Sequence, residues 1–137
     1  MKKIALLLVL LTTFLSCSVG DGDTYTNYVL PVDSYVLPET FTVNELNEIT
    51  LKYQKPTACY NYGGVYVYSE NNTRIIGVYA STKNGETCGE SLPPLSETSF
   101  NFKPLTAGTY TFKFYKGEDE DGENIFEDVE VVVTEAN

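Results

Sequence analysis

The stretch Leu105-Thr106-Ala107-Gly108-Thr109-Tyr110-Thr111-Phe112-Lys113-Phe114-Tyr115-Lys116 decides the fold class. From Thr109 to Lys116 the aromatic residues Tyr110, Phe112 and Phe114 fall at every second position, with Thr111 and Lys113 between them. Side chains of an extended chain point alternately to opposite faces, so this segment is a strand with one buried face. The same period recurs upstream. Ile49, Leu51 and Tyr53 alternate with Thr50, Lys52 and Gln54 across residues 48–54. Phe100 and Phe102 share a face in residues 99–103, and Val129, Val131 and Val133 oppose Glu130 in residues 125–133. Val65–Ser69 and Arg74–Ala80 flank Glu70-Asn71-Asn72-Thr73, which predicts a hairpin. Gly85, Gly89, Pro93 and Pro94 mark residues 81–97 as a long loop. No segment sustains a helical period. The pattern predicts an all-β chain: a two-sheet antiparallel sandwich of about seven or eight strands over residues 25–137.

Tyr28-Val29-Leu30-Pro31 recurs seven residues later as Tyr35-Val36-Leu37-Pro38. Seven is odd, so the two copies would face opposite sides of one continuous strand, and the prolines restrict them to edges or kinks. A first strand that switches from one sheet to the other satisfies both facts; coincidental repetition is the other reading.

Leu105-Thr106-Ala107-Gly108-Thr109-Tyr110 resembles the turn and tyrosine corner that enter a late strand of immunoglobulin-like domains. The resemblance implies that the Tyr110 hydroxyl bonds a nearby backbone group. In antibody-type domains a cysteine stands two residues after that tyrosine. Phe112 holds the position here, so the inter-sheet bridge of that family is absent. The resemblance carries a fold and no activity.

The N-terminus runs Met1-Lys2-Lys3, then unbroken apolar from Ile4 to Leu11, then Thr12-Thr13-Phe14-Leu15-Ser16-Cys17. A positive stub, a short apolar core and a small residue before a cut site form a secretory signal, and the run is too short to span a bilayer. Phe14-Leu15-Ser16-Cys17 resembles the lipobox of bacterial, Bacteroidetes-type lipoproteins. That resemblance implies a signal peptide over residues 1–16, removed on export, and a diacylglycerol thioether on Cys17 with a fatty acyl (palmitate) chain on the new amine. Two or more chains give stable anchoring. It also implies an outer-membrane protein facing the periplasm or the cell surface. The competing expectation is cleavage after Ser18 and a soluble secreted protein. Residues 17–24 then form the lipidated cysteine and a polar tether, whose Asp21 and Asp23 resemble a weak surface-export signal.

Three cysteines, Cys17, Cys59 and Cys88, leave an odd thiol in an exported protein. If Cys17 carries lipid, Cys59 and Cys88 can pair in an oxidising compartment.

Nine Lys and Arg against nineteen Asp and Glu give a formal charge of −10; removing residues 1–16 takes away two lysines and no acid, leaving −12. Such a surface repels nucleic acid and anionic headgroups, so no nucleic-acid partner is expected. The chain has no histidine. Ser-His-Asp and Cys-His nucleophilic sites are therefore excluded, as are imidazole-based zinc and copper sites. No enzyme activity and no cofactor are expected.

Gly117-Glu118-Asp119-Glu120-Asp121-Gly122-Glu123-Asn124 is the densest acidic run. Aligned on Gly122, a calcium loop would use Asp119, Asp121 and Asp128, but Gly117 takes the first ligand place and cannot ligate. A solvated hairpin tip turning at Asp121-Gly122 is the alternative. Eleven tyrosines and no tryptophan stand in the chain, with Tyr60, Tyr62, Tyr66 and Tyr68 inside nine residues. If Val65 and Val67 face the core, Tyr66 and Tyr68 form an outer platform able to stack on a sugar or meet a protein. The other reading makes these tyrosines ordinary strand formers, many of them core. The expectation is a lipid-anchored, monomeric envelope protein in a binding or accessory role. The alternatives are a carbohydrate-binding module using surface tyrosines, or a protease-inhibitor-like sandwich presenting the 81–97 loop.

Overall fold

The computed structural model describes residue 20 and residues 22–137; the signal segment, Cys17 and, in the tether, Ser18, Val19 and Asp21 lie outside the described residues. Among the described residues nine strands follow one another: β1 (Tyr25–Leu30), β2 (Val32–Val36), β3 (Phe41–Thr42), β4 (Asn47–Tyr53), β5 (Asn61–Glu70), β6 (Thr73–Lys83), β7 (Ser96–Phe102), β8 (Gly108–Glu118) and β9 (Asn124–Thr134). They form two sheets. The three-stranded sheet has the order β2-β4-β7; the six-stranded sheet has the order β1-β6-β8-β9-β3, with β5 also paired to β6.

The core lies between them. Ile49, Leu51 and Tyr53 of β4 meet Ile76, Val78 and Ala80 of β6, Tyr110, Phe112 and Phe114 of β8, and Val131 and Val133 of β9. Phe112 is fully buried. Phe41, Phe102 and Phe114 stand edge-on to it at centroid distances of 6.0, 5.1 and 6.3 Å, an arrangement aromatic quadrupoles favour. The period-two pattern thus assigns the buried face of β4, β8 and β9 correctly.

The sheet-switching reading of the Tyr-Val-Leu-Pro repeat holds. β1 pairs with β6 in the larger sheet and β2 pairs with β4 in the smaller one. Pro31, between them, cannot donate to either ladder, so the chain leaves one sheet and joins the other at that residue. The hairpin at residues 70–73 also holds, with a tight turn in which Asn71 adopts a φ of 51°.

Two expectations need correction. The sandwich is not antiparallel throughout: β6 runs parallel to β8, and β3 runs parallel to β9. The β5–β6 hairpin explains the first case. Its tip docks on β8 through the Thr111 N–H to the Asn72 carbonyl at 2.9 Å and the Asn72 amide to the Thr109 carbonyl at 3.0 Å, and β6 then climbs beside β8 in the same direction. The long loop is shorter than residues 81–97, because β6 continues to Lys83 and β7 begins at Ser96. At the start of the domain, Asp23 pairs with Lys83 at 2.8 Å and the Thr24 carbonyl accepts the Asn84 N–H at 2.9 Å. The tether is therefore already fastened to β6 by Asp23.

The tyrosine corner is present. The Tyr110 hydroxyl donates to the Thr106 carbonyl at 3.1 Å and lies 3.0 Å from the Thr106 hydroxyl. Arg74 closes that end of the core, its guanidinium 5.3 Å from the Tyr110 ring centroid and 5.7 Å from that of Phe102.

Candidate functional site

The site grows out of the way β6 shares one of its edges. β1 pairs with Val78–Lys83 of β6, and β8 pairs with Thr73–Ile76 of the same edge. The two strands part at Gly77. Above that point β8 continues toward its hairpin with β9, past the free edge of β1. A bulge lies between Tyr115 and Gly117 on β8, and bulges bend and twist the strand that carries them. The result is a cleft of about 630 Å³ on the outer face of the larger sheet, lined by Asn27, Val29, Tyr66, Ile75, Tyr115, Glu118, Asn124 and Phe126 and by Tyr28.

Register explains which side chains line it. Ile76, Val78, Phe112 and Phe114 are buried inward, so Ile75, Gly77, Lys113 and Tyr115 point outward. Tyr66 lies opposite Gly77, and Tyr115 opposite Phe126. Tyr66, Tyr115 and Phe126 therefore stand round a position with no side chain. Glycine is required there: a Cβ on Gly77 would come within 2.5 Å of Val29 Cγ1 and 3.7 Å of Tyr115 Cβ. The Tyr115 and Phe126 rings lie 6.0 Å apart, and the Lys113 ammonium sits 5.5 Å from the Phe126 centroid while pairing with Asp128 at 2.8 Å. Burial pushes the Tyr115 hydroxyl pKa upward, and the nearby Glu118 charge adds to the shift. Its phenol is neutral at physiological pH and able to donate.

The lining thus comprises four aromatic residues, three of them phenols (Tyr28, Tyr66 and Tyr115), with two side-chain amides and one carboxylate, and no cation. Such a set has the chemistry to stack on a flat apolar face and to hydrogen-bond to polar groups beside it.

The four clustered tyrosines do not form one platform. Pairing shifts between Tyr62 and Gly64, so Gly63 is an extra residue in the ladder. A one-residue insertion flips the face of everything beyond it. Tyr62 accordingly turns toward the smaller sheet, where its hydroxyl meets that of Thr98 at 2.6 Å and its ring stacks on Tyr53 at 6.1 Å. Tyr60 packs against the core beside Tyr28 at 5.1 Å, and burial raises its pKa. Tyr66 and Tyr68 remain on the outer face, but only Tyr66 reaches the cleft.

Nor do the acidic positions converge. The Asp119 carboxylate accepts the N–H groups of Asp121 and Glu123, each at 2.9 Å, and so caps its own turn. Asp128 sits partway along β9, paired with Lys113. Cys59 and Cys88 form a disulfide with Cα atoms 5.7 Å apart. Glu86 lies beside it, but both sulfurs are committed to the bond and neither is a thiolate. The loop that this bridge pins is held again by the Gln54 amide, which donates to the Pro93 carbonyl at 2.6 Å.

The family model of the ORF11 beta-sandwich domain matches residues 49–131, more than half of the chain. The chain belongs to the ORF11 beta-sandwich domain family. No curated protein and no solved structure matches it. The matched span runs from β4 into β9 and includes Tyr66, Ile75, Tyr115, Glu118, Asn124 and Phe126, together with Cys59 and Cys88. The β1 wall of the cleft lies outside the part that matches the ORF11 beta-sandwich domain.

Tyr115, Phe126, Glu118 and Asn124 were not legible as a site in the sequence. The available signal was an outward-phase aromatic in each of two consecutive strands: Tyr115 follows Thr111 and Lys113, and Phe126 precedes Asp128 and Glu130.

Proposed function

We propose that this protein is a lipid-anchored, non-enzymatic binding protein of the bacterial outer membrane that takes a short neutral oligosaccharide into the β1/β8 cleft. The cleft itself supports the binding role. Its volume, about 630 Å³, falls within the range of small-ligand sites. Tyr66, Tyr115 and Phe126 present flat apolar faces to the C–H faces of sugar rings. Asn27, Asn124 and Glu118 supply the acceptors and donors that hydroxyl groups require. A sulfated or carboxylated sugar would meet Glu118 with no cation beside it, which favours a neutral ligand.

The lipid anchor is supported by the lipobox-like residues ahead of Cys17, and by a cysteine count that leaves Cys17 alone once Cys59 and Cys88 are bonded. The immunoglobulin-like assignment is supported by the Tyr110–Thr106 corner; the parallel β6–β8 pairing is a departure from that pattern.

Titration of the purified protein with a panel of neutral oligosaccharides, followed by amide chemical shifts, tests the reading. Saturable shifts confined to residues 27–29, 66, 75–77, 115–118 and 124–126, reduced in Tyr115→Ala, are expected. Absence of shifts across the panel, or saturable shifts with an extended peptide instead, would overturn the sugar.

A further inference from the structure

We infer that Lys116 is a positioning residue for the β1/β8 cleft: from the inner side of β8 its ammonium ties that strand to the crossing from β1 to β2, and so sets the distance between the two walls. The inference rests on the reading of the cleft as a binding site and assigns the residue that adjusts it.

The walls come from strands that do not pair with each other. β1 supplies Asn27, Tyr28 and Val29; β8 and β9 supply Tyr115, Glu118, Asn124 and Phe126. Among the described residues β1 pairs only with β6, and no ladder joins it to β8. The ladder between β6 and β8 ends at Ile76 and Phe114. Beyond that point other contacts must hold the walls at their spacing.

Those contacts meet at Lys116. Pairing of β8 with β9 shifts between Tyr115 and Gly117, which makes Lys116 the extra residue of a bulge. Gly117 has a φ of 110°, a conformation glycine adopts without steric cost. Tyr115 therefore stays on the outer face while Lys116 reaches inward. Its ammonium donates to the carbonyls of Val32 and Asp33, the first two residues of β2, each at 3.0 Å. It also pairs with Glu127 Oε2 at 3.0 Å. Bonds from a charged donor are stronger than those between neutral groups. Pro31 Cγ lies 3.6 Å from where a Cβ on Gly117 would stand. Val29 is two residues before Pro31, so a shift of the crossing carries the β1 wall with it.

Packing leaves that spacing to the ammonium. Leu30 and Val32 are buried and fix the depth of the crossing, and Tyr35 stacks on Phe114 below the level of Gly77. At the level of the cleft, however, a hollow of about 290 Å³ lies behind the crossing, lined by Pro31, Val32, Asp33, Gln54 and Lys116. The same two segments thus have open space on both sides, where a close-packed interior would hold them by contact. Across this gap Lys116 is the bridge.

The test compares the full chain with Lys116→Met, Lys116→Arg and Lys103→Met by NMR, first without ligand. Val29 Cγ1 and Tyr115 Cβ lie 2.5 and 3.7 Å from the Cβ position of Gly77, hence within about 6 Å of each other across the cleft. The cross-peak between their protons should fall several-fold in Lys116→Met. Lys116→Arg, whose guanidinium can donate to the same carbonyls, should restore it. Lys103→Met removes a charge beside Phe102, at the other end of β4 from Val32, and should leave it unchanged. The cross-peak between Phe102 and Phe112, rings 5.1 Å apart in the core, should persist in every variant. A Val29–Tyr115 cross-peak as strong in Lys116→Met as in the parent, or a loss that Lys116→Arg does not restore, would overturn the inference. If Lys116→Met loses the core cross-peak as well, Glu127→Gln is read in its place, since it keeps the ammonium and removes its carboxylate partner. A weakened Val29–Tyr115 cross-peak is expected there, and an unchanged one overturns the inference. Titration with the neutral oligosaccharide that saturates the parent should show several-fold weaker binding in Lys116→Met and parental binding in Lys116→Arg; unchanged binding in Lys116→Met would also overturn it. If no oligosaccharide binds the parent, the reading of the cleft falls, while the spacing measured without ligand still decides whether Lys116 sets its width.

Discussion

Tyr35 and Glu127 tie the two sheets together: the hydroxyl of Tyr35 on β2 donates to Oε1 of Glu127 on β9 at 2.7 Å. The Tyr35 ring lies flat on Phe114, centroids 3.9 Å apart at 8°. Lys116, the extra residue of the β8 bulge, completes the clasp. Its ammonium donates to the Val32 and Asp33 carbonyls, each at 3.0 Å, and pairs with Glu127 Oε2 at 3.0 Å. The bulge that opens the cleft on the outer face therefore turns Lys116 inward, toward the crossing from β1 to β2.

This clasp sets a dependence on pH at both ends of the scale. Burial first, then the hydrogen bond to Glu127 and its charge, pushes the Tyr35 pKa up to about 12. A raised folded-state pKa contributes stability that is complete below the ordinary tyrosine value of 10.0 and is lost as pH rises through the folded value. Glu127 is lowered from 4.5, chiefly by the Tyr35 hydrogen bond and next by Lys116. Its contribution is present above the ordinary value and is lost as pH falls through the folded one. Tyr35→Phe keeps the stacking and removes the hydroxyl. Its expected result is a Glu127 titration midpoint that moves upward in carboxyl NMR, together with a weaker loss of thermal midpoint between pH 10 and pH 12. An unmoved Glu127 midpoint would show that the hydrogen bond does not persist in solution.

Gly77 should be the least replaceable residue of the cleft. A methyl group there meets Val29 Cγ1 at 2.5 Å, and valine branches at Cβ, so it cannot swing clear unless β1 moves. Gly77→Ala should cost roughly 1–3 kcal/mol from overpacking and narrow the cleft, seen as a lower urea midpoint and weaker ligand binding. Gly89→Ala, where nothing lies within 4 Å, is the matched control and should leave both unchanged. Equal behaviour of the two variants would remove Gly77 from the account of the cleft.

The sequence and the structure agree where one physical rule acts alone. The faces of β4, β8 and β9 were legible because each strand packs one side only, and period two reports that directly. The sheet switch was legible because Pro31 removes a donor at the crossing point. Strand direction was not, since alternation is identical in parallel and antiparallel neighbours; β6 runs parallel to β8 because of where Asn72 docks, a long-range contact. The tyrosine cluster divided for a similar reason. Glycine inside a strand is a mark of a bulge, and Gly63-Gly64 carries it, but the pair does not by itself fix the register that decides which way Tyr62 points. The cleft was illegible because Tyr66, Tyr115 and Phe126 come from three strands and are brought together by register and a shared edge.

The Cys59–Cys88 bridge closes a segment with a sequence separation of 29, which in the chain-entropy model corresponds to about 3–4 kcal/mol of stability. The double variant Cys59→Ser with Cys88→Ser should show that loss in urea unfolding with little change in slope. It should also become sensitive to a glutamate-specific protease at Glu86 and Glu90, because that stretch would then be held chiefly at its two ends, by Asn84 on Thr24 and Thr26 and by Gln54 on Pro93. A variant as stable and as resistant as the parent would mean that hydrogen bonding alone secures the loop.

The anchor gives the most direct prediction, since it depends on chemistry at a single atom. A thioether at Cys17 requires that sulfur, whereas export of a soluble form does not. In cells fed an alkyne palmitate analogue, the unmodified chain should take up label and fractionate with membranes. Cys17→Ala should lose the label and leave the membrane fraction, while Cys59→Ser with Cys88→Ser should keep both. One buried acyl chain gives only marginal binding, and two or three give stable attachment, so salt washing should not release the labelled protein. An unlabelled parent chain recovered in the soluble fraction would remove the lipid from the proposed function while leaving the cleft and its ligand to be tested separately.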